Sequence, residues 1–201
     1  DDGIFVRPGA GSESAKNSVV IVEQVLQGHE VSLFALTDGQ NYITLEPACD
    51  YKRLLEGNHG PNTGGMGAYS PVPWLPPQFV SEISEKVFPS VLKSLRDNGC
   101  KFKGLLYAGL MIRGREFWVL EFNSRFGDPE TQAILPRLSS DLLPLLWGIA
   151  TGSFETNIEA NPLRFLDEAC VNIVAASKGY PERPEVGFDI QGKLNPTISQ
   201  V

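Results

Sequence analysis

The sequence predicts an α+β fold, and three observations carry that expectation. Apolar, β-branched runs occur in pairs around turn signals: residues 30–36 and 41–45 about Asp38-Gly39, then residues 104–112 and 116–122 about Arg113-Gly114-Arg115. Helix-periodic stretches follow in separate blocks, between residues 80 and 95 and between 134 and 149. Strand pairs and helices are therefore segregated instead of alternating as in parallel βαβ units. Taken in order, residues 1–18, with Gly3, Pro8, Gly9 and Gly11, show no periodicity and read as an irregular lead-in. Residues 19–46 read as three consecutive antiparallel strands, or two strands with a connecting segment, with Gln27-Gly28 as the first turn. Residues 47–78 are rich in glycine and proline, and so long an aperiodic stretch is commonly functional. Val80, Ile83, Val87, Val91 and Leu95 share a helix face that stops at Asn98-Gly99, with Pro89 expected to kink or divide it. Asp128-Pro129-Glu130 reads as a helix start, with Asp128 as N-cap and Pro129 at the first helical position. Ile134, Leu135 and Leu138 continue it, and Leu142, Leu143, Leu146 and Ile149 form a second piece ending at Gly152, with Pro136 and Pro144 keeping the pieces short. A strand-like run at residues 169–175 and a turn at Gly179-Tyr180-Pro181 lie in what reads as the beginning of a second module from about residue 155.

Composition narrows the function classes. The chain has 201 residues, 17 Lys plus Arg against 24 Asp plus Glu, and a formal net charge of −7. That balance argues against a dedicated nucleic-acid or anionic-membrane surface, while leaving room for a local phosphate site. No apolar run approaches the ~18 residues of a spanning helix, and Asp1-Asp2-Gly3 does not open a secretion leader. Cys49, Cys100 and Cys170 are far apart and suit a reduced, cytoplasmic chain; with only His29 and His59 available, a zinc site is not expected.

Three segments carry candidate chemistry. On a strand, alternate residues share a face about 6.6 Å apart, so Glu121, Asn123 and Arg125 line up while Leu120, Phe122 and Ser124 turn into apolar packing. An anion, an amide oxygen and a guanidinium in a row suit a divalent cation carrying phosphates. Residues 60–71 (GPNTGGMGAYSP) allow close approach of backbone to a ligand and can form an anion nest, without the Gly-Lys-Ser/Thr of a Walker loop. Asp50-Tyr51-Lys52-Arg53 sets two cations beside an acid. Residues 22–26 lead into Gly28-His29-Glu30, where exposed main chain can read an adenine edge and Glu30 can meet ribose hydroxyls. Taken singly, these features also describe a solvated edge strand, a surface loop, exposed cations and a glutamate at a strand end.

Together, and in this order, residues 60–71, 105–112 (LLYAGLMI) and 121–132 (EFNSRFGDPETQ) resemble the glycinamide ribonucleotide synthetases, or phosphoribosylamine–glycine ligases, of the ATP-grasp superfamily. The likeness runs from about Val19 to Phe154 and more weakly to Pro181. It implies an ATP-grasp large subdomain, an antiparallel sheet flanked by helices, at residues 19–154. Residues 1–18 would be the remnant of a lid subdomain and residues 155–201 part of a small C-terminal domain. It implies ATP-dependent joining of glycine to 5-phosphoribosylamine through a glycyl phosphate, in purine biosynthesis, with a glycine-rich cover excluding water. Carried over position by position, Glu121 and Asn123 resemble the ligands of Mg2+ or Mn2+, and Arg125 the cation steadying the transferred phosphoryl group. Glu23, Gln24, Val25 and Leu26 resemble the adenine hinge and Glu30 the ribose partner. The pocket for glycine and phosphoribosylamine would take Asp50, Lys52, Arg53, Asn62, Thr63, Gly64, Gly65, Met66, Gly67, Asp128, Pro129, Glu130 and Thr131.

The chain departs from the family pattern at Cys49 and Tyr51, where Gln and His are usual, and in the hinge at Gln24-Val25. Ala108-Gly109 stand where many other ATP-grasp enzymes carry an extra acidic ligand. The family's N-terminal domain and the lid with its lysine have no counterpart; Lys16 lies in no recognisable context, which predicts little activity for this chain alone. The resemblance also implies fusion to other purine-pathway domains as one setting for the parent chain. Two other readings stay open: another ATP-grasp carboxylate–amine ligase, and a non-catalytic nucleotide-binding module.

Overall fold

Hydrophobic alternation along two long strands organises the molecule. In this computed structural model, which describes residues 4–8, 20–189 and 191–192, β1 (Ile4–Pro8) and β2 (Val20–Gln24) form an antiparallel pair of their own. The main sheet takes β3 (His29–Thr37) and β4 (Tyr42–Thr44); after α1 (Pro77–Asp97) it adds β9 (Gly104–Arg113) and β10 (Glu116–Asn123), in the order β10-β9-β3-β4 with every pairing antiparallel. Between β4 and α1 lie β5 (Cys49–Asp50), β6 (Arg53–Leu55), β7 (His59–Asn62) and β8 (Gly67–Ser70). Past β10 come α2 (Thr131–Ile134), α3 (Leu143–Thr151), α4 (Phe154–Ala160) and β11 (Cys170–Ile173). A second sheet runs β11-β8-β5, and β6 pairs with β7. No helix among the described residues is long and apolar enough to cross a membrane.

The main sheet has a core on each face. Val31, Leu33 and Ala35 of β3 with Leu106, Ala108, Leu110 and Ile112 of β9 meet Phe79, Ile83, Val87, Phe88 and Leu92 of α1. The alternate residues Phe34, Leu36, Leu105 and Tyr107 meet Ile134, Leu145, Ile149 and Phe154 on the helices that follow β10. Period two on the strands and a 3.6-residue stripe on α1 are what both packings require.

The antiparallel α+β class and both hairpins agree with expectation, at Asp38-Gly39 and at Arg113-Gly114-Arg115. Other details differ. Residues 4–8, expected to be irregular, pair with β2, so β2 is not the first of three neighbouring strands; β3 pairs instead with β9. Residues 9–19, including Lys16, lie outside the described residues. Pro89 does not divide α1, because Phe88 and Leu92 on either side of it are fully buried and hold the helix to the sheet. Regular helix starts at Thr131, not at Asp128: the Gly127 carbonyl accepts from Thr131 N–H, and the Asp128 carboxylate accepts from the Gln132 side chain. Leu120 and Phe122, expected to turn into apolar packing, are each 41% exposed, since β10 is the sheet's edge and α1 reaches only as far as Phe117.

Past residue 155 the chain rejoins the rest. Strand β11 pairs with β8 across Cys170–Ser70 to Ile173–Gly67, and Arg137 ties the two regions together. Its guanidinium is nearly inaccessible and donates to the Glu168 and Leu166 carbonyls and the Ser70 hydroxyl at 2.7–2.9 Å, with the Glu46 carboxylate 3.6 Å away. Ser70 Oγ in turn donates to the Pro47 carbonyl.

Candidate functional site

The site begins where β10 ends. A bulge at Leu120 shifts the register between Val119 and Glu121, so that Glu121 stands opposite Gly109 and Asn123 opposite Tyr107. Gly109 makes that possible: a Cβ there would lie 3.1 Å from Glu121 Cγ and 3.3 Å from the Tyr107 ring. Glu121 and Asn123 therefore share a face, with Asn123 Nδ2 donating to Glu121 Oε1 at 3.3 Å. Arg125 extends the row, one of its guanidinium nitrogens donating to the Phe126 carbonyl. All three line a cavity of about 70 Å3 whose other walls include Asp50, Lys52, Gly64, Asp128 and Glu130.

Buried polar groups support the row from below. Glu130 is 3% exposed. The Ser32 hydroxyl lies 2.8 Å from Glu130 Oε1, to which it donates, and 3.0 Å from the Tyr107 hydroxyl; with one proton on Ser32, Tyr107 is left to donate in return. Burial, reinforced by the Glu130 carboxylate, raises the Tyr107 pKa well above its ordinary value and keeps it a donor. Lys52 forms an ion pair with Glu30. Burial alone would depress its ammonium, but that hydrogen bond and the carboxylates of Asp50, Glu30 and Glu121 outweigh burial and raise its pKa.

Asp50 is pushed up to about 6, chiefly by burial; Lys52 opposes the shift while Glu130 and Glu30 add to it. Between its ordinary value of 3.8 and about 6 the folded chain holds a proton that the unfolded chain has released. Stability from this group therefore falls as pH rises through that window, by up to roughly 3 kcal/mol. Asp50→Asn is expected to flatten the fall, read as urea midpoints of both chains across the window; an unchanged slope would reject the assignment.

Asp50 and Lys52 also wall a second cleft of about 420 Å3, shared with Gly28, His29, Glu30, Cys49, Tyr51, Arg53, Asn62 and Met111. Its rim is aromatic: His29 packs at a tilt against Trp74, whose indole N–H donates to the Tyr69 hydroxyl. The Cys49 thiol donates to the Glu30 carbonyl, and burial pushes its pKa up to about 11, leaving it unreactive. A further cleft of about 510 Å3, between residues 43–47, 71–81 and 163–165, contains none of the residues expected at the site.

The glycine-rich segment is not the open anion nest that its composition suggests. Thr63 N–H donates to the Lys52 carbonyl, Met66 N–H to the Tyr51 carbonyl, Gly65 N–H to Thr63 Oγ1 and Ala68 N–H to the Asn172 side chain. Thr63 and Met66 are held by main chain next to the β6–β7 and β5–β8 pairings, Gly65 by a local turn and Ala68 by a β11 side chain. Gly65, at φ +123°, packs on Pro129, whose ring would meet a Cβ at 2.4 Å. Of this segment, Gly64 lines the small cavity and Asn62 the larger cleft, while Thr63, Gly65, Met66 and Gly67 line neither. Pro129 and Thr131 lie behind the cavity wall, with Thr131 Oγ1 donating to the Gly127 carbonyl. Glu23, Gln24, Val25 and Leu26 precede the larger cleft without lining it; Gly28, His29 and Glu30 line it.

Sequence reasoning did not single out Ser32, Tyr107 or Tyr180. Ser32 and Tyr107 had a signal, each being a hydroxyl within an otherwise apolar strand; Tyr180, in a turn, had none.

A family model described as phosphoribosylglycinamide synthetase, ATP-grasp (A) domain, matches residues 4–131. The chain is 52% identical over 173 residues to the phosphoribosylamine–glycine ligase of Streptomyces coelicolor, covering 86% of this chain and 41% of that protein. It is 44% identical over 173 residues to the trifunctional purine biosynthetic protein adenosine-3 of Gallus gallus, covering 86% of this chain and 17% of that one. The crystal structure of phosphoribosylamine–glycine ligase from Thermotoga maritima superposes with a TM-score of 0.63 at 33% identity, over 83% of this chain and 40% of its own. The chain thus spans about two fifths of the length of the ligases it matches.

Proposed function

The chain belongs to the phosphoribosylglycinamide synthetase ATP-grasp (A) domain family, and on that footing we propose that it supplies the nucleotide- and metal-binding part of an ATP-dependent ligase. The reaction joins glycine to 5-phosphoribosylamine through a glycyl phosphate and yields glycinamide ribonucleotide, ADP and phosphate in purine biosynthesis. One observation carries the reading: Glu121, Asn123 and Arg125 leave one strand end for a single cavity whose far wall holds Asp50, Lys52 and Glu130.

The donor set fits a hard cation, Mg2+ or Mn2+. No cluster of three or more His, Cys, Asp or Glu side chains suited to a metal occurs among the described residues, so the ion would rest on Glu121 and Asn123 and take phosphate and water oxygens for the remainder. Asn123 now presents its Nδ2 to Glu121; offering its oxygen instead needs only a turn of the amide. When bound, the cation offsets phosphate charge. Arg125 adds a fixed positive group beside it, and Lys52, positioned by Glu30, a second. Glu30 faces the nucleoside, dividing its carboxylate between Lys52 and ribose, and Glu23, Gln24, Val25 and Leu26 form the hinge that leads the chain into that cleft. Asp50, Arg53, Asn62, Gly64, Asp128 and Glu130 hold glycine and phosphoribosylamine, while Thr63, Gly65, Met66, Gly67, Pro129 and Thr131 shape the backbone behind them.

We place residues 1–18 in the lid, 19–154 in the catalytic subdomain and 155–201 at the start of the C-terminal domain. Three free thiols support a cytoplasmic setting. The name of the chicken relative supports a second setting within a multifunctional chain. Thermal melting tests the reading. Magnesium–ATP at a hundred times its Kd is expected to stabilise the chain by ~2.7 kcal/mol, with glycine adding to that shift. Stabilisation by nucleotide without any increment from glycine favours a nucleotide-binding module, and no shift with either rejects the ligase.

A further inference from the structure

The glycine-rich segment is also held from the C-terminal side. Val174 N–H donates to the Met66 carbonyl just beyond the β11–β8 ladder, and within that pairing the Asn172 side chain accepts from Ala68 N–H. Tyr180 makes a different contact. Its hydroxyl accepts from Gly64 N–H at 3.0 Å, and Gly64 lines the cavity that Glu121, Asn123 and Arg125 enter. The turn bearing Tyr180 is fixed by its own hydrogen bonds, Tyr180 N–H to the Ser177 carbonyl, Arg183 N–H to Gly179 and Glu185 N–H to Lys178. Among the described residues the Tyr180 hydroxyl donates to nothing.

We propose that Tyr180 is a substrate-contact residue whose hydroxyl donates to an anionic oxygen, carboxylate or phosphate, of a molecule bound beside Gly64. The identity of that anion rests on the ligase reading above. A phenol has one proton and its lone pairs; with Gly64 N–H occupying a lone pair, the proton is directed away from that amide. Accepting a hydrogen bond also polarises the O–H and strengthens the bond it donates. The neighbouring cations are partly engaged, Lys52 with Glu30 and Arg125 with the Phe126 carbonyl. An oriented hydroxyl donor behind Gly64 therefore adds direction where charge is already supplied.

Tyr180→Phe keeps the ring and deletes both the donor and the oxygen that accepts from Gly64 N–H. The chain and this variant are titrated calorimetrically with magnesium–ADP, and then, with magnesium–ADP saturating, with glycine and with inorganic phosphate separately. The expected result is about a tenfold loss of affinity for one or both anions, with magnesium–ADP affinity within about twofold of the parent. A loss in glycine alone assigns a carboxylate; a loss in phosphate alone assigns a phosphate. Unchanged affinities for both anions overturn the role of Tyr180 and leave the ligase reading standing, as does an equal loss for magnesium–ADP, which would mark a mere prop. A parent chain that binds neither magnesium–ADP nor the anions overturns both.

Discussion

Replacing Glu121 by alanine is expected to remove the magnesium-dependent part of nucleotide binding, lowering affinity for magnesium–ADP between roughly ten- and a hundredfold while leaving the fold in place. The side chain is exposed at the end of β10 and makes one hydrogen bond, to Asn123, so its loss should change stability by under about 0.5 kcal/mol. Its carboxylate is one of the two groups proposed to hold the cation, and contacts to charged groups are worth about 1.5–3 kcal/mol each. Glu121→Gln keeps the shape and removes the charge, so it should lose most of the same affinity. Calorimetric titration with and without magnesium separates the two contributions. Equal magnesium dependence in parent and variant would remove Glu121 from the metal site.

Arg137→Met is expected to be the most destabilising single change outside the apolar cores, at ~3–5 kcal/mol. Three acceptors would lose their donor, the Ser70 hydroxyl where water is excluded and the Leu166 and Glu168 carbonyls where solvent has partial access. Glu46, 37% exposed, can recover solvation and softens the loss. Arg137→Lys should fail almost as badly, because one ammonium cannot reach acceptors set around a planar fork. Urea midpoints decide it, and a cost under about 1 kcal/mol would show that the 160s segment docks by packing alone. Because Ser70 ends β8, within the glycine-rich segment itself, the same variant should also weaken ligand binding.

Local rules read most of the fold. Asp38-Gly39 and Gly114 fix two hairpins through turn chemistry, and the spacing of Ile83, Val87, Val91 and Leu95 fixes α1. Pairing across long separations was not legible in the same way. That β3 lies beside β9, and that residues 4–8 lie beside β2, depends on which apolar faces meet after collapse, and no short motif carries it. Pro89 failed as a breaker because burial on both sides outweighs one forfeited hydrogen bond. At the site, the alternation of Glu121 and Asn123 was readable from strand geometry. The glycine-rich segment was misjudged because composition reports permitted φ values and says nothing of which amides are already paired. Tyr180 escaped notice because its importance comes from a contact 116 positions away.

The partition between the small cavity and the larger cleft consists of Asp50 and Lys52, and two compartments divided by ionisable side chains cannot be filled independently. A guest that draws Lys52 from Glu30, or neutralises Asp50, alters the electric field felt next door. Thermodynamic reciprocity then requires the second guest to change the first guest's affinity by the same factor. Coupling between the two occupants, of whichever sign, is thus built into their common wall.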